Sequence, residues 1–125
     1  MAREIPVGTE HEIQETVTPE MGAPHLGPAG AVLSTPSMIG LMEQCCLQAM
    51  QPFLEEHENS VGTKVCITHD AALRGGEDVI IRTKLAEMAG RRYVWDVSAH
   101  STDERKLGGG THERAVIDMR RFTGA

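Results

Sequence analysis

The stretch Ser34–Phe53, STPSMIGLMEQCCLQAMQPF, decides how the chain folds. It is the one segment long and apolar enough to form a central buried helix. Thr35 before Pro36 predicts the start, because a hydroxyl satisfies an orphan backbone N–H and proline is tolerated in the first turn. Ser37 is an equally good cap. Pro52 and the polar run Glu55 to Asn59 predict the end. Met38, Leu41, Met42, Cys45, Ala49 and Met50 recur at helical spacing and form one broad apolar face. On the other side Glu43 is flanked by Ile39, Gly40, Cys46 and Leu47, and the segment holds no lysine or arginine to pair with it. Such a carboxylate stands at a cleft edge, is desolvated with a raised pKa, or lies on an exposed strip beside Gln44, Gln48 and Gln51.

Working outward, residues 9–18 carry Ile13, Thr16, Val17 and Thr18 and read as a strand. Residues 19–33 are rich in Pro, Gly and Ala and predict a long loop of the kind that often serves as a lid. After the helix, residues 61–72 alternate. Val61, Thr63, Val65, Ile67, His69 and Ala71 fall on one face, while Lys64 and Asp70 mark the other as the wet side. That places His69 inward. Strands are also predicted over 79–88 (inner face Val79, Ile81, Thr83, Leu85), 93–100 and 111–122, the last two joined by a glycine-rich connection over 101–110. One helix followed by an antiparallel meander gives an α+β fold in a single domain, residues 1–125. A twisted five-stranded sheet can curl around one helix. The side of the helix left bare then calls for a second copy of the chain.

Composition narrows the function. At 125 residues with net charge −6, the chain lacks the basic face that a nucleic-acid phosphate backbone requires. Aromatics are only 3% of residues, so Val, Ile, Leu, Met and Ala are expected to fill the core. Three cysteines, two of them adjacent, make no disulfide framework and suit a reducing compartment. No signal core or membrane-length apolar run is visible, which points to the cytoplasm. His100 and His112 match no common zinc spacing, and no metal site is expected.

Thr35, Glu43 and His69 are the residues that could do chemistry. Hydroxyl, carboxylate and imidazole together can activate water or attack a carbonyl. Each also has a plainer use: Thr35 as a helix cap, His69 as a hydrogen-bonded core histidine. Cys45 and Cys46 have no cationic partner to activate them and read as small core residues.

Three segments resemble a known family. They are Thr35-Pro-Ser-Met-Ile-Gly-Leu-Met-Glu43, Val61-Gly-Thr-Lys-Val-Cys-Ile-Thr-His69 and Gly110-Thr-His-Glu-Arg-Ala-Val-Ile117. Their order and spacing resemble the signature segments of the fluoroacetyl-CoA thioesterase family, with similarity running from Pro6 to Phe122. The resemblance implies a hotdog fold, one long helix wrapped by a five-stranded antiparallel sheet, and a homodimer or a tetramer made of two such dimers. It implies a catalytic set of Thr35, Glu43 and His69, with Gly62 lining the acyl pocket and Arg114 as a pocket arginine. It implies an acyl-CoA substrate and no separate cofactor, coenzyme A being part of the substrate. In fluoroacetyl-specific members the loop before the helix carries phenylalanines. Here His25–Leu33 has no aromatic, so a more open pocket and broader hydrolysis of short acyl-CoA esters are expected.

Geometry constrains that set. If Thr35 starts the helix, the eight residues to Glu43 rise about 12 Å, too far for contact within one chain. Either the helix starts later, with Thr35 on a loop that folds back, or part of the site comes across a dimer interface, and the shared site is the one expected. Arg91, Arg92, Arg105, Lys106, Arg120 and Arg121 are candidates for the coenzyme A phosphates by charge alone. The competing readings are a non-catalytic acyl-CoA-binding module and a hydratase or dehydratase on the same fold.

Overall fold

The computed structural model describes residues 4–122, apart from the side chains at 28–30 and 122. In chain order these residues form β1 (Glu10–Thr16), α1 (Thr35–Met50), β2 (Glu58–His69), β3 (Asp78–Ala89), β4 (Arg92–Ser101), β5 (Lys106–Asp118) and α2 (Met119–Phe122). The strands make one antiparallel sheet in the order β1-β3-β4-β5-β2. The sheet wraps α1, giving the α+β architecture of one long helix in a five-stranded sheet. Between β1 and α1 the expected loop contains short 3-10 turns at Pro19–Met21 and Pro24–Gly30.

The helix is amphipathic for the reason its spacing gives. Met38, Leu41, Met42, Cys45, Cys46, Ala49 and Met50 are buried against the sheet. Strand alternation holds where it was clearest: Val79, Ile81, Thr83 and Leu85 are buried on β3, and every second residue of β4 from Tyr93 to Ser101 faces inward. The few aromatics matter more than their number suggests. Tyr93 and Trp95 are fully buried, so the core is not aliphatic alone.

Four local expectations change. Ser34, rather than Thr35 or Ser37, caps α1: its hydroxyl accepts the Ser37 N–H at 3.3 Å, and Thr35 is the first helical residue. The glycine-rich connection is the start of β5, which begins at Lys106. A Cβ on Gly108 would collide with the Thr68 carbonyl oxygen, and one on Gly110 with that of Cys66. The glycines therefore mark where β5 and β2 approach closely, not a turn. β5 also ends early, at Asp118, and α2 follows. Finally, a bulge between Gly62 and Lys64 shifts the β2 register against β5. Val65, Ile67 and His69 keep the expected side, opposite His112, Gly110 and Gly108, but before the bulge Gly62 faces the helix instead of Val61 and Thr63, and Val61, paired with Ala115, lies on the far face.

One surface remains uncovered. α1 leaves Thr35, Pro36, Gly40 and Gln44 exposed and Ile39, Glu43 and Leu47 half-buried. Beside them β2 is an edge strand, with Val65 41% exposed.

Candidate active site

The five residues singled out from the sequence fall into two groups. The first lies at the amino end of α1. Because Ser34 takes the capping duty, the Thr35 hydroxyl is free, and its Oγ1 hydrogen-bonds His69 Nδ1 at 2.8 Å. His69 is the last residue of β2 and pairs with Gly108, whose missing side chain lets the strand end press close to Met38. The pair sits at the positive end of the helix dipole, where developing negative charge is favoured.

The second group lies two turns further along α1. Glu43 points over Gly62, and Arg114 Nη1 approaches Glu43 Oε2 at 3.8 Å. The Glu43 side chain is 42% exposed and that of Arg114 only 4%. Glu43 is therefore not desolvated, the second of the three settings its neighbours allowed, and it does not lack a cation. Its cation comes from β5, which no helix-local reading could supply. A Cβ on Gly62 would stand 2.7 Å from Glu43 Oε2 and 2.9 Å from His112 Cε1. Only glycine leaves that space open.

Arg114 is held by three further bonds. Its Nε donates to Ser60 Oγ at 3.0 Å and Nη2 to the Ser60 carbonyl at 2.9 Å. Nη1 lies 3.1 Å from His112 Nε2. Burial lowers the Arg114 pKa, offset in part by Cys46 and Glu43. His112 is buried, and desolvation lowers its pKa, against the hydrogen bond of its Nδ1 to the Lys64 carbonyl at 2.9 Å. From the sequence His112 is visible only as a histidine outside any zinc spacing, and Ser60 carries no signal. His112 sits two residues from Arg114 on the same strand face, and that period-two spacing was the available signal.

Within the chain the two groups stay apart. The helix rise from Thr35 to Glu43 is about 12 Å, and along β2 the span from Gly62 to His69 is about 20 Å. The imidazole next to Glu43 is that of His112, not His69. The buried thiols are no nucleophiles: burial pushes Cys45 up to about 12 and Cys46 to about 11. Among the candidate cations, Arg92 is engaged by Glu87 and Glu113, Arg120 by Asp118, and Arg105 Nη2 donates to the Ala72 carbonyl. Among the described residues no cluster of His, Cys, Asp or Glu is placed to hold a metal ion, and no helix is long and apolar enough to cross a membrane.

Known proteins are similar to this chain in sequence and in fold. The family model for the fluoroacetyl-CoA-specific thioesterase matches residues 17–120. The fluoroacetyl-CoA thioesterase of Streptantibioticus cattleyicolor is 43% identical over 113 residues, 90% of this chain and 78% of that protein. A solved structure of a mutant fluoroacetyl-CoA-specific thioesterase, in complex with fluoroacetate and CoA, superposes with a TM-score of 0.86 at 39% identity, covering 94% of this chain and 99% of that one. A Thermus thermophilus member of the thioesterase superfamily superposes with a TM-score of 0.89 at 30% identity, covering 98% and 90%. The wrapped helix, the matched length and these relatives together make the chain a hotdog-fold thioester hydrolase belonging to the fluoroacetyl-CoA-specific thioesterase family.

Proposed function

We propose that the protein hydrolyses short-chain acyl-CoA thioesters to the free acid and CoA, at sites shared between two copies of the chain. Each site would combine Thr35 and His69 of one subunit with Glu43 of the partner subunit, and Gly62 and Arg114 would line the acyl end beside that carboxylate. The observation that carries this reading is the separation of the two groups along one uncovered surface. Both face the bare strip of α1 and the free edge of β2. An antiparallel two-fold pairing of β2 edges, centred midway between Gly62 and His69, brings each Glu43 to the other subunit's His69. It also covers Ile39, Leu47 and Val65, which a single chain leaves partly in water.

The chemistry follows from the parts. A thioester carries a good leaving group, so the main needs are an oriented nucleophile and a donor for the developing oxyanion. The Glu43 carboxylate either attacks the carbonyl itself or takes a proton from water that does. Thr35 and His69 polarise the thioester carbonyl, carry the proton toward the departing thiolate, and sit where the helix dipole favours the oxyanion. The open, aromatic-free stretch His25–Leu33 favours a range of short acyl groups over fluoroacetyl alone.

Release of free thiol from a panel of acyl-CoAs tests this reading. Wild type is expected to turn over acetyl-, propionyl- and fluoroacetyl-CoA within about ten-fold of one another, the span that one small group commonly commands. Glu43→Ala and His69→Ala are expected to abolish release while remaining folded. Release untouched by either change overturns the site. Binding without release points to a module, and hydration of an enoyl-CoA to a hydratase. A strong preference for fluoroacetyl-CoA overturns the broad specificity.

A further inference from the structure

His112 has no part in the chemistry above, yet it is only 1% exposed and packed against the site. It lies opposite Trp95 on β4 and Val65 on β2. Its two nitrogens face different partners. Nδ1 is 2.9 Å from the Lys64 carbonyl oxygen, which can only accept, so Nδ1 must carry the proton. Nε2 is 3.1 Å from Arg114 Nη1, a guanidinium nitrogen that can only donate. Both bonds are met together by one species alone: neutral imidazole, protonated on Nδ1 and bare on Nε2.

We propose that His112 is the positioning residue that holds Arg114 against Glu43, its bare Nε2 accepting from Nη1 so that the same nitrogen is turned toward the carboxylate. This role rests on the thioesterase reading of Glu43. Nη1 lies 3.8 Å from Glu43 Oε2, while Nε and Nη2 are committed to Ser60. His112 and Ser60 thus fix both ends of the guanidinium. A second proton on His112 removes the acceptor and sets two cations side by side. The charges that act on the ring are Arg114 beside it, Glu43 from α1 and, from the other face of its own strand, Glu113. β2 contributes the Lys64 carbonyl, and the Lys64 ammonium is paired at 3.8 Å with Glu113.

Nitrogen-15 NMR of the wild-type imidazoles reads the species directly. The expected signature for His112 is a neutral ring protonated on Nδ1 that stays neutral below the ordinary histidine range. A ring protonated on Nε2, or charged at neutral pH, overturns the proposal. Kinetics of two variants tests the role. His112→Leu removes the acceptor and should lower kcat by about ten-fold or more, as for a lost hydrogen bond to a charged group, with KM little changed. His112→Gln restores an acceptor near Nε2 and should recover part of that loss. A His112→Leu enzyme with wild-type kcat, or a folded His112→Gln no better than His112→Leu, contradicts it. The NMR result does not depend on turnover. A Glu43→Ala enzyme with full activity would therefore remove the functional reading while leaving the His112–Arg114 geometry separately tested.

Discussion

Thr35 and His69, 34 residues apart in sequence, meet through a 2.8 Å hydrogen bond because Ser34 takes over the capping of α1. Replacing Thr35 with Val keeps the shape and removes the hydroxyl. Since the cap lies elsewhere and the pair is exposed, the melting temperature should hardly move. The rate constant for thiol release should fall by about ten-fold or more, the range of a lost proton-handling group. A variant that loses stability but keeps its rate would mean that the hydroxyl serves the helix and not the reaction.

Gly62→Ala probes the space under Glu43. The new Cβ would stand 2.7 Å from Glu43 Oε2 and 2.9 Å from His112 Cε1. The carboxylate is the end of a flexible, half-exposed side chain and will swing away, whereas the buried ring cannot. Activity should therefore drop sharply, and the clash with the immobile ring should lower the melting temperature as well. Unaltered kcat/KM would show that the carboxylate position is unimportant.

Gly108→Ala should instead be a stability mutant. Its Cβ meets the Thr68 carbonyl oxygen and lies 3.2 Å from His69 Cα and 3.1 Å from Met38 Cε. Two of those atoms belong to backbone that is held in the sheet. A loss of about 2 kcal/mol or more is expected by denaturant titration, as for other overpacked core sites. A change within about 0.5 kcal/mol, the usual range of a surface substitution, would contradict the close β2–β5 approach.

Acid should weaken the fold before any carboxylate is titrated. Burial lowers the His112 pKa below its ordinary 6.5, and desolvation followed by Arg82 lowers that of His100. A buried neutral imidazole binds fewer protons than the same residue unfolded. Stability therefore rises with pH between the folded value and about 6.5. On acidification it should begin to fall near pH 6.5 and level off below the folded pKa. The lowered pKa values of Asp78, Asp103 and Glu104 add a separate loss only below the usual carboxylate range. Chemical denaturation across pH 4.5 to 7.5, a window set by those reference values, should show the early slope flatten in His112→Gln. An unchanged slope would mean that His112 is not held neutral.

Much of this architecture was legible because its signals are local. The apolar spacing of Met38 to Met50 and the alternation of Val79 to Leu85 depend only on helix and strand periods. The rise of α1 alone separated Thr35 from Glu43. The misread parts needed partners distant in sequence. Gly108 and Gly110 look like a turn until Thr68 and Cys66 lie beside them. The bulge that turns Gly62 inward is invisible in an alternating pattern, and Ser34 shares its hydroxyl with Thr35 and Ser37 as a possible cap. Of the candidate site, the resemblance singled out Gly62 and Arg114. Pattern alone offered Thr35, Glu43 and His69 as parts without an assembly, and missed His112 because its role exists only through Lys64 and Arg114.

Mixing two inactive proteins tests the shared site most directly. Glu43→Ala and His69→Ala subunits, denatured together in equal amounts and refolded, should form mixed dimers in which one of the two sites regains both groups. Thiol release should return to about a quarter of the wild-type rate, as random two-fold pairing requires. Mixtures as inactive as either parent, with exchange of subunits verified, would place Glu43 and His69 in separate functions and contradict the account.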